Sequence, residues 1–128
     1  MKLLIALVAG GVATVAALTT PAPTTAQSTA AAPPAFAGCR GCHTVVKGGR
    51  NGIGPNLYGV AGRAAAAAPG FNYSAALKAS KLRWDDKTLN EYLAAPSKKV
   101  PGTRMPIATP DAAKRATIIA YLKSEGAQ

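Results

Sequence analysis

Large apolar residues are sparse in this chain, and their spacing divides it into unlike segments. Positions 3–18 run without a charge, whereas 19–34 are almost all Thr, Ala, Pro, Gln and Ser, too poor in large side chains to bury a core. Beyond them, apolar residues return at helical spacing between loops rich in glycine and proline. Pro34 suits a first turn, where its missing N–H is not needed, and predicts a short helix over 34–42. Gly48, Gly49, Gly52, Gly54, Pro55, Gly59 and Gly62 then follow closely, a density that predicts a long, tightly turning loop. Ordered loops of that length in small domains usually carry function or wrap a ligand.

Ser74 is placed to cap a helix over 75–80, and Asp85 one that reaches Ala95. Within the latter, Leu89, Tyr92 and Leu93 fall at the i, i+3, i+4 spacing of one buried face, and Pro96 ends it. Positions 100–110 hold Pro101, Gly102, Pro106 and Pro110 and predict another loop. Asp111 opens a last helix to about Ser124, with Ile118, Tyr121 and Leu122 on one face and Lys114, Arg115 and Lys123 mostly off it. No run alternates with period two long enough to predict a strand, and no internal repeat is visible. The pattern therefore predicts an all-α domain of a few helices joined by long loops.

The charge-free run changes the picture of the N-terminus. Met1 and Lys2 before it, with small residues and threonines after it, have the layout of a secretory signal, and a peptidase that accepts small side chains would cut within 17–26, by preference after Ala26. The expected organisation is a signal peptide over 1–26, a flexible Ala/Pro linker over 27–34 and one domain over 35–128. An uncleaved anchor is the alternative, although the run falls short of the roughly 20 residues a spanning helix needs. Either way the domain faces the far side of the membrane, and a periplasmic location is expected.

Fifteen Lys and Arg against five Asp and Glu give a formal charge of +10, and only Lys2 of the cations would leave with a signal. Such a domain approaches acidic partners faster than a neutral one does. Nucleic acid is disfavoured by export and by the scatter of the cations, so acidic redox proteins are the expected partners. With only two Phe and one Trp, the domain also looks short of core, a deficit that small domains make up with a staple, a metal or a prosthetic group.

The two cysteines and the single histidine of the chain sit together as Cys39, Arg40, Gly41, Cys42, His43. Cys-x-x-Cys-His is the attachment signature of c-type haem: each thiol forms a thioether to the porphyrin and the adjacent imidazole reaches the iron. Structural zinc would lack ligands, since it wants four and no other Cys or His exists here. A thioredoxin-like pair expects strands around the motif, and a plain disulfide would leave the histidine idle. The expected cofactor is one covalently bound haem c. With no second histidine, and with Met1 in the signal, Met105 is the candidate sixth ligand, held in a loop stiffened by Pro101 and Pro106. His/Met ligation closes both axial positions and favours electron transfer over oxygen or peroxide chemistry.

From about Phe36 to Gly126 the chain resembles the class I cytochromes c, of the mitochondrial and bacterial cytochrome c2 kind. The matching stretches are CRGCHTVVKGG from Cys39, GPNLYGVAG from Gly54, PGFNY from Pro69, WDDKTLNEYL from Trp84, PGTRM from Pro101 and IIAYLK from Ile118. The resemblance implies the cytochrome c fold and an electron carrier, not an enzyme. It implies that Cys39 and Cys42 bind haem covalently and that His43 and Met105 are the axial iron ligands. Pro55 would accept a hydrogen bond from His43, with Gly54 and Leu57 shaping the turn. Tyr73 and Trp84 would bond a buried propionate whose charge Arg63 helps balance, and Tyr92 and Thr103 would line the Met105 side.

By the same resemblance, the partners would be acidic docking surfaces of a quinol:cytochrome c reductase and of a terminal oxidase or peroxidase, met by a monomer that touches the membrane only if the signal stays uncleaved. The sequence departs from the family in three places. The first helix is shortened by 29–34, Ile107 stands where an aromatic residue is frequent, and the lysine ring is thinned to Lys47, Arg50, Lys98, Lys99 and Arg104. The first departure bears on stability, and the others on the partner surface.

Overall fold

The computed structural model describes residues 31–126; the expected signal peptide and the first half of the expected linker lie outside the described residues. A 3-10 turn, Pro34–Phe36, runs into helix α1, Ala37–Arg40, and after a long loop come α2, Ala75–Ser80, α3, Asp86–Ala94, α4, Pro96–Lys99, and α5, Ala112–Ser124. The three expected caps are in place. Ser74 Oγ accepts from the Leu77 N–H at 3.1 Å, Asp85 Oδ1 from Thr88 at 2.7 Å and Asp111 Oδ1 from Lys114 at 2.8 Å, each satisfying an otherwise orphaned helical donor. The Thr88 bonds hold the Asp85 carboxyl below its ordinary range.

Three local features differ from the sequence expectation. α1 stops at Arg40, short of Cys42, because the Cys42 and His43 N–H groups both turn back to the Cys39 carbonyl, at 3.1 and 2.9 Å. Pro96 ends α3 as expected but also opens α4, since a proline at a first helical position gives up no bond. An isolated antiparallel bridge joins Ala64 to Arg83, flanked by Ala65 N–H to Leu82 O and Trp84 N–H to Arg63 O, and it ties the long loop to the approach of α3.

The core gathers Phe36, Val60, Trp84, Leu89, Tyr92, Val100, Ile118, Ile119, Tyr121 and Leu122. α3 and α5 pack together, and the opening turn packs on α5. The shortened N-terminal element keeps that contact through one aromatic residue. Phe36 is fully buried, and its ring lies 4.9 Å from that of Tyr121 at a tilt of 60°. An ion pair from Lys123 to Asp86 at 2.8 Å joins the same helices at the surface, where its contribution is small.

Ala66 is held at φ 59°, in the left-handed region that suits glycine. Relief of that strain, about 1–2 kcal/mol, outweighs the 0.4–1 kcal/mol that extra unfolded freedom costs. Ala66→Gly is therefore expected to raise the stability of the cofactor-loaded protein by about 0.5–1 kcal/mol, read from guanidinium unfolding.

Candidate cofactor site

Cys39 lies in the last turn of α1, and Cys42 and His43 follow in the turn that ends it. The loop beyond is stitched back onto this turn: Gly54 N–H donates to Cys42 O at 2.8 Å and Leu57 N–H to Thr44 O at 2.8 Å. The same fold brings the Pro55 carbonyl to 2.7 Å from His43 Nδ1. A carbonyl can only accept, so Nδ1 carries the proton and Nε2 keeps its lone pair for a metal. Gly54 makes the close approach of loop to ring feasible, since a Cβ there would stand 2.6 Å from Nδ1 and 2.8 Å from Nε2.

His43 opens into a cavity of about 560 Å³, within the range of small-molecule and cofactor pockets. Cys39, Cys42, His43 and Pro55 line it together with Tyr73, Trp84, Tyr92, Thr103 and Met105. Nine of the ten residues expected at the site therefore meet in one hollow, although they come from both ends of the domain. Arg63 is the exception. Its guanidinium donates to Tyr58 O at 3.0 Å and Asn56 O at 3.2 Å, and it lies behind the lining, because the turn before the Ala64 bridge supplies carbonyls that satisfy it first. Its Nε is buried and unpartnered, so one donor remains to be matched.

Met105 is positioned through its backbone. Tyr92 and Thr103 hydroxyls share a hydrogen bond of 2.5 Å, and Thr103 Oγ1 in turn accepts from the Met105 N–H at 3.3 Å. Burial raises the Tyr92 hydroxyl above its ordinary range, and the Thr103 bond only partly opposes this, so the hydroxyl stays protonated. Arg104 donates to Asn72 O at 3.0 Å and ties the loop to the neighbouring wall. Tyr73 accepts from the Ala68 N–H at 3.0 Å and keeps its own proton for another acceptor.

Both thiols are free, and burial followed by the charge of Cys42 pushes Cys39 up, away from the reactive thiolate of an oxidoreductase. Among the described residues no three His, Cys, Asp or Glu side chains are grouped so as to hold a metal ion. A second hollow of about 710 Å³ lies near the end of α5, lined by Asp85, Asp86, Lys87 and Lys123 among others, and holds no thiol, imidazole or aromatic ring. The chemistry lies in the first. Its residues fit a haem: an apolar slot with two thiols, an imidazole with a free Nε2 and a thioether on its walls.

Asn51 and Asn56 went unnoticed in the sequence. Asn51 accepts from the Asn56 N–H at 2.8 Å and donates to Pro69 O at 3.0 Å, while Asn56 Nδ2 donates to Val46 O and Gly49 O. Together they hold the loop that carries Pro55. Only the presence of Asn56 within the GPNLYG stretch could have pointed to it.

No curated family profile matches the chain. Individual relatives do. It is 48% identical over 97 residues to cytochrome c2 of Rhodoblastus acidophilus, covering 73% of this chain and 91% of that protein. The chain belongs to the cytochrome c2 family of class I cytochromes c. Cytochrome c2 iso-2 of Magnetospirillum fulvum is 48% identical over 94 residues, 73% of this chain and 97% of that one. Among solved structures, cytochrome cH from Methylobacterium extorquens superposes with a TM-score of 0.66 at 48% identity, over 70% of this chain and 91% of its own. Cytochrome c2 from Rhodospirillum centenum superposes with a TM-score of 0.69 at 33% identity, over 72% and 92%. The all-α class I fold and a single covalently bound haem c are thus those of this cytochrome, and an electron-carrier role follows with them. Among its described residues no helix is long and apolar enough to cross a membrane.

Proposed function

We propose that this cytochrome carries single electrons between membrane redox complexes, with haem c joined through thioethers to Cys39 and Cys42 and its iron held by His43 and Met105. The observation that carries the reading is the imidazole whose Nδ1 proton is fixed on Pro55 O, on a histidine that lines the same cavity as Met105. Bound haem c supplies a one-electron ferric/ferrous couple, and the chain sets its potential, orientation and access.

Pro55 keeps the imidazole in one tautomer and raises its donor strength. Tyr92 and Thr103 hold the Met105 backbone, so both ligands stay placed in either oxidation state and little rearrangement accompanies transfer. Tyr73, Trp84 and the unmatched Arg63 Nε are the donors for a propionate. The apolar lining excludes water. With His43 and Met105 both committed to the iron, bound haem would offer no open site to a substrate, and the protein would serve as a carrier and not an enzyme. It is exported to the periplasm by the 1–26 signal and works as a monomer. It exchanges electrons with a quinol:cytochrome c reductase and a terminal oxidase or peroxidase, whose carboxylates its cations seek, and it does not act on nucleic acid.

The test is visible spectroscopy of the purified holoprotein. A sulfur-to-iron band near the red edge of the ferric spectrum and a ferrous form inert to carbon monoxide are expected. Absence of that band with rapid carbon monoxide binding would overturn the reading in favour of an open-iron enzyme or gas sensor. Gly54→Ala supplies a second check. Its methyl displaces the His43 ring from Pro55, which should cost about 1–3 kcal/mol in guanidinium unfolding and raise the midpoint potential, because a weaker imidazole donor stabilises ferric iron less.

A further inference from the structure

Asn51 is the one asparagine of the chain that a glycine follows; Leu57, Tyr73 and Glu91 follow the other three. Asparagine is among the thermolabile residues. An Asn-Gly pair is its most labile setting, because no side chain on the second residue shields the backbone nitrogen that attacks the carboxamide. Gly52 is nonetheless held to glycine by the fold. A Cβ there would stand 2.7 Å from Cys42 O, so the loop lies against the cysteine turn only without one. The reactive pair is therefore built in beside the cofactor attachment point. Gly52 is exposed and Asn51 half-buried, so water reaches the pair.

In the fold, the groups that the reaction needs are engaged elsewhere. The Asn51 carboxamide accepts from the Asn56 N–H at 2.8 Å and donates to Pro69 O at 3.0 Å, while the Gly52 N–H donates to Gly54 O at 2.9 Å. Gly54 N–H is in turn bonded to Cys42 O at 2.8 Å, so nitrogen and carboxamide turn towards one another only when the 51–56 turn opens. We propose that Asn51 is a deamidation site that the closed fold shields and the open chain exposes, and that its conversion bars the chain from closing again. The Gly52 nitrogen bonds to Asn51 Cγ, the Cγ–Nδ2 bond breaks, and the proton lost by Gly52 leaves with Nδ2 as ammonia. Water then opens the succinimide at either carbonyl, with no change of oxidation state. Opening at the Asn51 main-chain carbonyl gives isoaspartate, whose extra main-chain methylene breaks the register of the bonds that stitch 52–54 to Cys42. Opening at Cγ gives aspartate, which keeps the acceptor for Asn56 but sets a carboxylate oxygen against Pro69 O, two acceptors without a proton between them. Either product makes the opening irreversible.

The experiment ages the purified holoprotein in mildly alkaline heavy-oxygen water, native in one arm and unfolded in guanidinium in the other, and reads label at each asparagine by peptide mass spectrometry. In the unfolded arm Asn51 is expected to take up label well ahead of Asn56, Asn72 and Asn90, and in the native arm about tenfold or more slowly. On dilution from guanidinium, unlabelled chains should regain native helicity while isoaspartyl chains stay in the unfolded fraction. Asn51→Gln, whose longer side chain closes the ring far less readily, should abolish the early labelling and give a refolding yield that no longer falls with ageing. Equal labelling in both arms would overturn the shielding on which the proposal stands. Labelling led by another asparagine, or isoaspartyl chains that refold as well as unlabelled ones, would overturn it too. The electron-carrier reading survives any of these results, since none involves the iron.

Discussion

Without its haem, this chain should fail to fold. Far-UV circular dichroism of protein made without haem attachment, or with Cys39→Ser and Cys42→Ser together, is expected to lose roughly half or more of its helical signal and its cooperative thermal transition. Without the cofactor, an apolar slot of about 560 Å³ would stand open to water, and the apolar side chains that face it would lose their burial. Collapse cannot offset the loss, because the walls are helices α1, α3 and α5 with loops stitched to them, and Trp84, Leu89, Tyr92, Ile118 and Leu122 serve both core and lining. Trp84, buried here, should become solvated and fluoresce at longer wavelength. Native helicity and a sharp melting transition in the haem-free chain would falsify this account of the core.

Met105→Ala carries the second large effect. The ferric sulfur band should vanish, the ferrous form should bind carbon monoxide, and the midpoint potential should fall by on the order of a few tenths of a volt, since loss of the thioether removes the ligand that favours ferrous iron. The fold should survive, because Met105 is only partly buried and its loop is anchored elsewhere: Thr109 N–H donates to Leu93 O at 2.7 Å, and Arg115 to Thr109 O and Pro110 O. Unchanged axial-ligand bands in the variant would remove Met105 from its proposed role.

Local rules reached far in this chain. The caps Ser74, Asp85 and Asp111 were legible because a cap is decided by a side chain and a backbone N–H two or three residues away. The Cys39 to His43 cluster was legible because rare residues at fixed spacing point to one chemistry. What could not be read depends on which distant carbonyl ends up near which donor. The Asn51 and Asn56 bonds close the 46–56 loop on itself and tie it to Pro69, and neither residue type nor spacing announces them. Arg63 was assigned to the cofactor by resemblance, yet its guanidinium is mostly committed to Tyr58 and Asn56 carbonyls, which only the folded loop reveals. α4 escaped because Pro96 read as a stop, while the backbone break at Ala95 lets the same proline begin a new turn.

The pairing of Phe36 with Tyr121 bears on how the chain is made. Phe36 of the opening turn meets Tyr121 of α5 with its ring tilted by 60°, so a chain threaded N-terminus first across the membrane lacks half of that contact until Tyr121 has followed. Such long-range closure is slow and late. In the interval the cysteine pair stays accessible on an open strand of polypeptide, which is the state in which an attachment enzyme can thread a porphyrin between the walls before they shut.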